Sequence, residues 1–316
     1  MIACKKPKLP RNYTGKNITK WGNSMLYKST EMLEEVSSEK SPDERIVVPL
    51  DGSKLAEIAL PYAEELGVRT SRDIVLLSVI ENADQTCRAY LQSIADTTKI
   101  NANKYSVVPR SNKIEVYITT RDGSPAEVIV DFASKWDHKL IVMATHGRSG
   151  IGRWAIGSIA DKVVRAATNS SVMLIRGKKA RSDVRQKRLL RTALVPLDGS
   201  IPSQAIVPYI IQLATKLELE LTIFQVVQQN NHNEVDAESY LQTQCAELEQ
   251  QGISANYIVR IGSPADEIID LADELAVDLI AMSTRGKNSI APWTIGSVAQ
   301  KVLLAGNTPL LLVRHE

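Results

Sequence analysis

Residues 45–53 read RIVVPLDGS, and residues 191–200 read RTALVPLDGS. In each copy a β-branched apolar run is cut short by Asp-Gly, a pair that turns a strand out of its sheet. Further on, Gly123-Ser124-Pro125-Ala126 returns as Gly262-Ser263-Pro264-Ala265, and Trp154-Ala155-Ile156-Gly157-Ser158 returns as Trp293-Thr294-Ile295-Gly296-Ser297, both 139 positions apart. Asp51 and Asp198 are 147 apart, so the second copy is eight residues shorter between its first two landmarks. Two copies of a unit this long are tandem domains, because solenoid repeats are short and need neighbours to bury their faces.

The duplication divides the chain into a leader at 1–44, unit one at 45–176, a basic linker at 177–191 and unit two at 192–316. A length of 316 residues agrees, being about twice the roughly 150 residues of one domain. Each unit is expected to fold largely alone. The linker carries seven Lys/Arg against the single acid Asp183 and is expected to be solvated. The leader has seven Lys/Arg and no acid through Lys28, then Leu26, Met32, Leu33 and Val36 at helical spacing, which reads as a solvated arm followed by a docking helix.

Within each unit, short runs rich in Ile, Val and Leu alternate with helical patterns. Strands are predicted near 45–50, 73–79, 113–118, 139–144 and 171–176, and near 192–197, 219–226, 254–259, 277–282 and 309–314. Near-continuous apolar strands are covered on both faces, as crossover helices require. The fold class is therefore α/β, with two tandem doubly wound five-stranded parallel-sheet domains. Ser124-Pro125-Ala126-Glu127 and Ser263-Pro264-Ala265-Asp266 each place a capping Ser before Pro and an acid three residues on, so each starts a helix; both segments read as scaffold.

Composition removes several function classes. With 44% hydrophobic and 23% charged residues this is an ordinary globular chain, and its longest apolar runs fall far short of the roughly 20 residues that cross a bilayer. No membrane partner is expected, and the absence of a secretory signal pattern near the start gives a cytoplasmic location by default. Cys4, Cys87 and Cys245 are scattered, odd in number and without CxxC spacing, so they read as plain thiols. The formal net charge of +2 confines any polyanion binding to local patches, and nucleic acid is not an expected partner. Thr14-Gly15-Lys16-Asn17 lacks the spacing of a Walker loop.

Chemistry is expected in two loops at the carboxyl ends of strands, where ligands sit in open α/β sheets. The first holds Asp51, or Asp198 in the second unit. The other runs from Ala144-Thr145-His146-Gly147 to Gly157-Ser158, or from Ser283-Thr284-Arg285-Gly286 to Gly296-Ser297. Glycines that admit close backbone approach, followed by the open amides of a helix start, make a cradle for phosphate. The plainer uses of the same residues are a turn shaped by Asp-Gly and a helix cap made by Ser158 or Ser297. Trp154 and Trp293 read as packing residues. His146, replaced by Arg285 in the second copy, reads as loop surface. No His, Cys or Asp cluster has metal spacing, and no catalytic group can be singled out.

On these residues the chain resembles the universal stress protein family in its tandem form. The family pattern of Gly, two residues, Gly, nine residues, Gly and then Ser or Thr is matched by Ala144, Gly147, Gly157 and Ser158, and by Ser283, Gly286, Gly296 and Ser297, with the first glycine replaced in both. The resemblance implies a Rossmann-like sheet in order 3-2-1-4-5, and a cytoplasmic stress-response sensor or adaptor that binds ATP, or AMP or ADP, with Mg2+ held through the phosphates and hydrolysis at most slow. It implies contacts to adenine from Asp51 and Val79 in unit one and from Asp198 and Val226 in unit two. Ala144 and Ser283 would lie near the ribose. Phosphates would rest on Gly147, Gly157, Ser158 and Ile159, and on Gly286, Gly296, Ser297 and Val298. Loop composition, with Arg148, Gly150, Gly152 and Arg153, makes unit one the expected tighter site. The alternative is an interaction module of the same fold that has lost nucleotide binding. The last strands are edges that want a partner, so the two units are expected to pair through them as an intrachain pseudo-dimer. Association of whole chains into a homo-oligomer is left open.

Overall fold

A computed structural model describes residues 45–79, 85–104, 115–135, 140–146, 156–168, 170–176, 188–227, 234–286 and 295–314. The leader, most of the linker, Gly147, Trp154 and Trp293 lie outside the described residues. Unit one runs β1 (Arg45–Pro49), a 3-10 turn (Ala56–Ala59), α1 (Leu60–Thr70), β2 (Asp73–Val79), α2 (Gln85–Lys104), β3 (Val116–Arg121), α3 (Pro125–Ala133), β4 (Leu140–Ala144), α4 (Ser158–Ala166) and β5 (Ser171–Ile175). Unit two repeats this as β6 (Thr192–Pro196), a one-turn helix (Ile201–Gln204), α5 (Ile206–Leu217), β7 (Glu220–Val227), α6 (Glu234–Gln250), β8 (Ala255–Ile261), α7 (Pro264–Glu274), β9 (Leu279–Ser283), α8 (Ser297–Ala305) and β10 (Leu310–Val313).

All ten strands form one sheet in the order β3-β2-β1-β4-β5-β10-β9-β6-β7-β8. Each half has the order 3-2-1-4-5 with parallel neighbours, and β1 beside β4, like β6 beside β9, creates the strand reversal that a ligand cleft needs. The single antiparallel pairing joins β5 to β10, with Met173 opposite Leu311. Val172 opposite Leu312 and Leu174 opposite Leu310 are the same pair seen from the two units, so a pseudo-twofold axis passes through Met173 and Leu311. The expected intrachain pairing is present.

Helices cover both faces. The 3-10 turn, α1, α2, α5 and α6 bury one cluster against the sheet, and α3, α4, α7 and α8 bury the other. Each cluster contains residues of both units, so the two halves share their cores across the join instead of each closing its own.

The seam is also pinned by polar contacts. Arg176 Nη1 donates to the Leu304 carbonyl at 3.1 Å and to the Gly306 carbonyl, while Arg314 Nη1 donates to the Arg165 carbonyl at 2.9 Å. Each arginine thus satisfies carbonyls left open at the end of the other unit's last helix. The linker's end departs from expectation. Leu189 and Leu190 are buried, and the carboxylate of Glu65 on α1 accepts their amides at 2.7 and 3.4 Å. Arg188 bonds the Leu217 carbonyl and meets Glu218 at 3.0 Å, so these last linker residues are docked, not solvated. Among the described residues no helix is long and apolar enough to cross a membrane.

Candidate functional site

The Asp-Gly loops form as local chemistry dictates. Asp51 Oδ1 accepts the Ser53 amide at 2.9 Å, and Asp198 Oδ1 accepts the Ser200 amide at 2.9 Å and its hydroxyl at 2.5 Å. Gly52 and Gly199 follow at φ 80° and 77°, the left-handed region that favours glycine. The turn-shaping use of both aspartates is therefore present. In unit two the same carboxylate also faces a cleft: a Cβ at Gly286 would run into Asp198 Oδ2. Glycine there lets the phosphate-type loop come down onto the aspartate.

The second loop is closed at its base. Gly157 donates to the Thr145 carbonyl at 2.7 Å, and Gly296 donates to the Thr284 carbonyl at 2.7 Å. A Cβ at Gly157 would sit 2.8 Å from the Thr145 oxygen, and one at Gly296 would sit 3.3 Å from the Thr284 oxygen. These glycines are where they are because the carbonyl one residue past each strand touches the N-cap of the following helix. They also occupy the N-cap positions of α4 and α8, without a side-chain cap. Ser158 and Ser297 stand one residue later, inside the helix, so the cap expected of them is not made. Capping by glycine leaves the first-turn amides to an outside acceptor.

In unit two these parts enclose a cavity of about 580 Å³. Its lining includes every candidate residue of that unit: Asp198, Val226, Ser283, Gly286, Gly296, Ser297 and Val298. The size suits a small organic ligand. Phe224, Val226, Ile268 and Met282 supply apolar surface, while Asp198, Thr284, Arg285 and Lys301 supply polar and charged groups. Ser283, in place of a glycine, is buried and its Oγ accepts the Arg285 amide at 3.3 Å. The hydroxyl is bonded to its own loop. Thr284 is 4% exposed, and its Oγ1 has no partner among the described residues.

In unit one Asp51 follows β1, Val79 ends β2, the buried Ala144 ends β4, and Gly157 lies against Thr145 with Ser158 and the exposed Ile159 opening α4. Gly147 is outside the described residues, so only part of that set is brought together here.

Two further expectations change. Ser263, Pro264, Ala265 and Ile268 wall the cavity, so the start of α7 is more than scaffold. The usable signal was its place: the Gly-Ser-Pro-Ala repeat follows the third strand of each unit at its carboxyl end. Ser263 makes no side-chain cap, and Lys301, which donates to Asp266 at 2.7 Å, followed by the Ser263 hydroxyl, holds the Asp266 carboxyl below its usual range. His146, expected at the loop surface, is half-buried, with Nδ1 3.0 Å from Thr145 Oγ1 and Nε2 without a partner among the described residues.

Fold and site together define a duplicated, doubly wound α/β protein with a glycine-bordered cleft at the strand reversal. The sequence pattern described as "Universal stress protein family" matches residues 44–176 and again 190–314. The chain belongs to that family. Universal stress protein Slr1230 of Synechocystis sp. is 22% identical over 297 residues, covering 85% of this chain and 99% of that protein. A crystal structure of a universal stress protein from Archaeoglobus fulgidus, 18% identical, superposes with a TM-score of 0.63 over 86% of this chain and 98% of its own. A universal stress protein solved in complex with cAMP is 26% identical, with a TM-score of 0.35 over 40% of this chain and 97% of its own.

Proposed function

We propose that this protein binds ATP and acts as a cytoplasmic stress-response sensor or adaptor, hydrolysing the nucleotide slowly at most. The purine lies against Asp198 and Val226, and the phosphates lie over Gly286 and the amides of Gly296, Ser297 and Val298, carrying Mg2+ with them. Unit one offers the corresponding Asp51, Val79, Ala144, Gly147, Gly157, Ser158 and Ile159. The observation that carries the reading is the unit-two cavity, which gathers an apolar wall, a carboxylate and an uncapped helix start in one space of about 580 Å³. A carboxylate beside an apolar slot accepts from an exocyclic amine, and open amides hold an anion.

Loss of the pattern's first glycine in both units favours the alternative, an interaction module without nucleotide. Against it, Ala144 adds only a methyl group, and the Ser283 hydroxyl bonds the Arg285 amide of its own loop. Calorimetry with Mg-ATP on the full chain, and on Asp51→Ala and Asp198→Ala, decides between them. Binding that each substitution reduces supports the proposal. No heat of binding at millimolar ATP would establish the interaction module instead.

A further inference from the structure

The two clefts differ in charge at matched positions, and the difference sits where phosphates would lie. Position by position the scaffolds agree: Thr145 stands for Thr284, Gly157 for Gly296, Lys162 for Lys301. Three exchanges change the charge. His146 becomes Arg285, which lines the unit-two cavity beside Gly286. The Asp161–Arg165 pair of α4, closed at 2.9 Å, becomes the uncharged Gln300 and Leu304 of α8, so this part of the two helices does not differ in net charge.

A second observation places the excess positive charge. Burial first, and the nearby Arg285 second, hold the Arg314 guanidinium below its usual range. Its counterpart Arg176 is pushed down to about 10 by burial alone. Arg285 lines a cavity whose wall also includes the buried Thr284, whose hydroxyl has no partner among the described residues. A guanidinium in a wall that also carries the open amides of a helix start favours an anion, and a more highly charged one most of all.

We infer that unit two is the site for the more highly charged nucleotide, and that Arg285 is the residue that separates ATP from AMP there. The inference deepens the nucleotide-binding reading and rests on it. It reverses the order expected from loop composition. Arg285 belongs to the wall of the cavity, beside Gly286.

The test is calorimetry of the full chain with ATP and with AMP, each with Mg2+, using Asp51→Ala and Asp198→Ala to tell the sites apart. Arg285→His should weaken ATP at unit two about tenfold, the loss expected for one charge-assisted contact, and AMP less than about twofold. Arg285→Lys keeps the charge and should hold the ATP-to-AMP ratio within about threefold of the parent. His146→Arg should strengthen ATP at unit one. An unchanged ratio in Arg285→His overturns the inference while nucleotide binding stands. Failure of the parent chain to bind either nucleotide overturns the underlying reading, and the inference with it.

Discussion

Glu65 is the group through which the linker's end is fixed to unit one, and its removal has a calculable cost. The side chain is 2% exposed and accepts the Leu189 amide at 2.7 Å and the Leu190 amide at 3.4 Å. The shorter bond is charge-assisted and contributes about 1.5–3 kcal/mol, while the longer one adds at most about 1 kcal/mol. Truncation in Glu65→Ala strands both amides but also ends the burial of a carboxylate, so the net loss is about 2–3 kcal/mol. Glu65→Gln keeps one acceptor, for the Leu189 amide, and loses the weaker bond to Leu190 because its NH2 can only donate, so it costs about 1 kcal/mol at neutral pH. Burial raises the Glu65 pKa above its ordinary 4.5, outweighing the lowering by the Leu189 and Leu190 amides and by Arg69 and Arg188. The folded chain then holds this proton more tightly than the unfolded chain. Its stabilising contribution is full below pH 4.5 and is lost as pH rises through the raised folded value. Glutamine has no such proton, so the parent should gain on Glu65→Gln as the pH falls through that window. Urea unfolding followed by far-UV circular dichroism at several pH values measures both effects. The reasoning fails if Glu65→Ala lies within about 0.5 kcal/mol of the parent, a surface-like effect, or if the parent loses ground to Glu65→Gln on acidification.

Two other predictions concern the cleft base and the seam. Gly157 and Gly296 have ordinary dihedrals, φ −62° and −61°, so alanine is unstrained at both and only space decides. Gly157→Ala forces a Cβ to 2.8 Å from a backbone oxygen and should cost about 1–3 kcal/mol, against about 0–1 kcal/mol for Gly296→Ala at 3.3 Å; a reversed order in urea melts contradicts the geometry. Leu311→Asp places a carboxylate opposite Met173 at a position 1% exposed, and should cost more than about 3 kcal/mol. Because the buried cluster around Leu311 runs through both units, the whole chain should shift in one transition, and a unit one melting at its original midpoint would refute the shared core.

Most of the fold is legible because the strands are bounded by chemistry that acts locally. β1 and β6 end at Asp-Gly turns, and α3 and α7 begin at Pro125 and Pro264, whose missing amides cost nothing at a first helical position. β3 is the strand whose position departs most from expectation, lying at Val116–Arg121 and not at 113–118. It is an edge strand whose second half, Thr119, Thr120 and Arg121, carries no apolar signal, and its register is set by pairing Val116 with Ile74 of β2. Charge counting makes the linker solvated because seven cations outweigh everything else in that window. The burial of Leu189 and Leu190 depends on a carboxylate 124 residues away, beyond the reach of any local rule. Of the candidate site, the glycine spacing shows both loops, but the walls contributed by Ser263 and Ile268 require knowing that the third strand lies two places from the first.

The antiparallel join between β5 and β10 also determines how the two clefts relate. Strands within a unit are parallel, and the join reverses direction, so the carboxyl ends of the two halves face opposite ends of one sheet. No single ligand can bridge the clefts, and each is free to diverge. Yet neither is isolated. Arg314 follows the last strand of unit two, feels the charge of Arg285 in the cleft wall, and bonds the carbonyl of Arg165 near the end of α4. That helix begins at Ser158, in the cleft of unit one. A duplicated chain could keep two identical sites by keeping both walls identical. Here the residues that build the base of the cleft, Thr145 and Thr284, Gly157 and Gly296, are retained, while His146 against Arg285 in the loop, and the Asp161–Arg165 pair against Gln300 and Leu304 in the last helix of each unit, are exchanged. The scaffold tolerates these exchanges because the positions lie outside the Met173–Leu311 pairing on which the sheet's continuity depends.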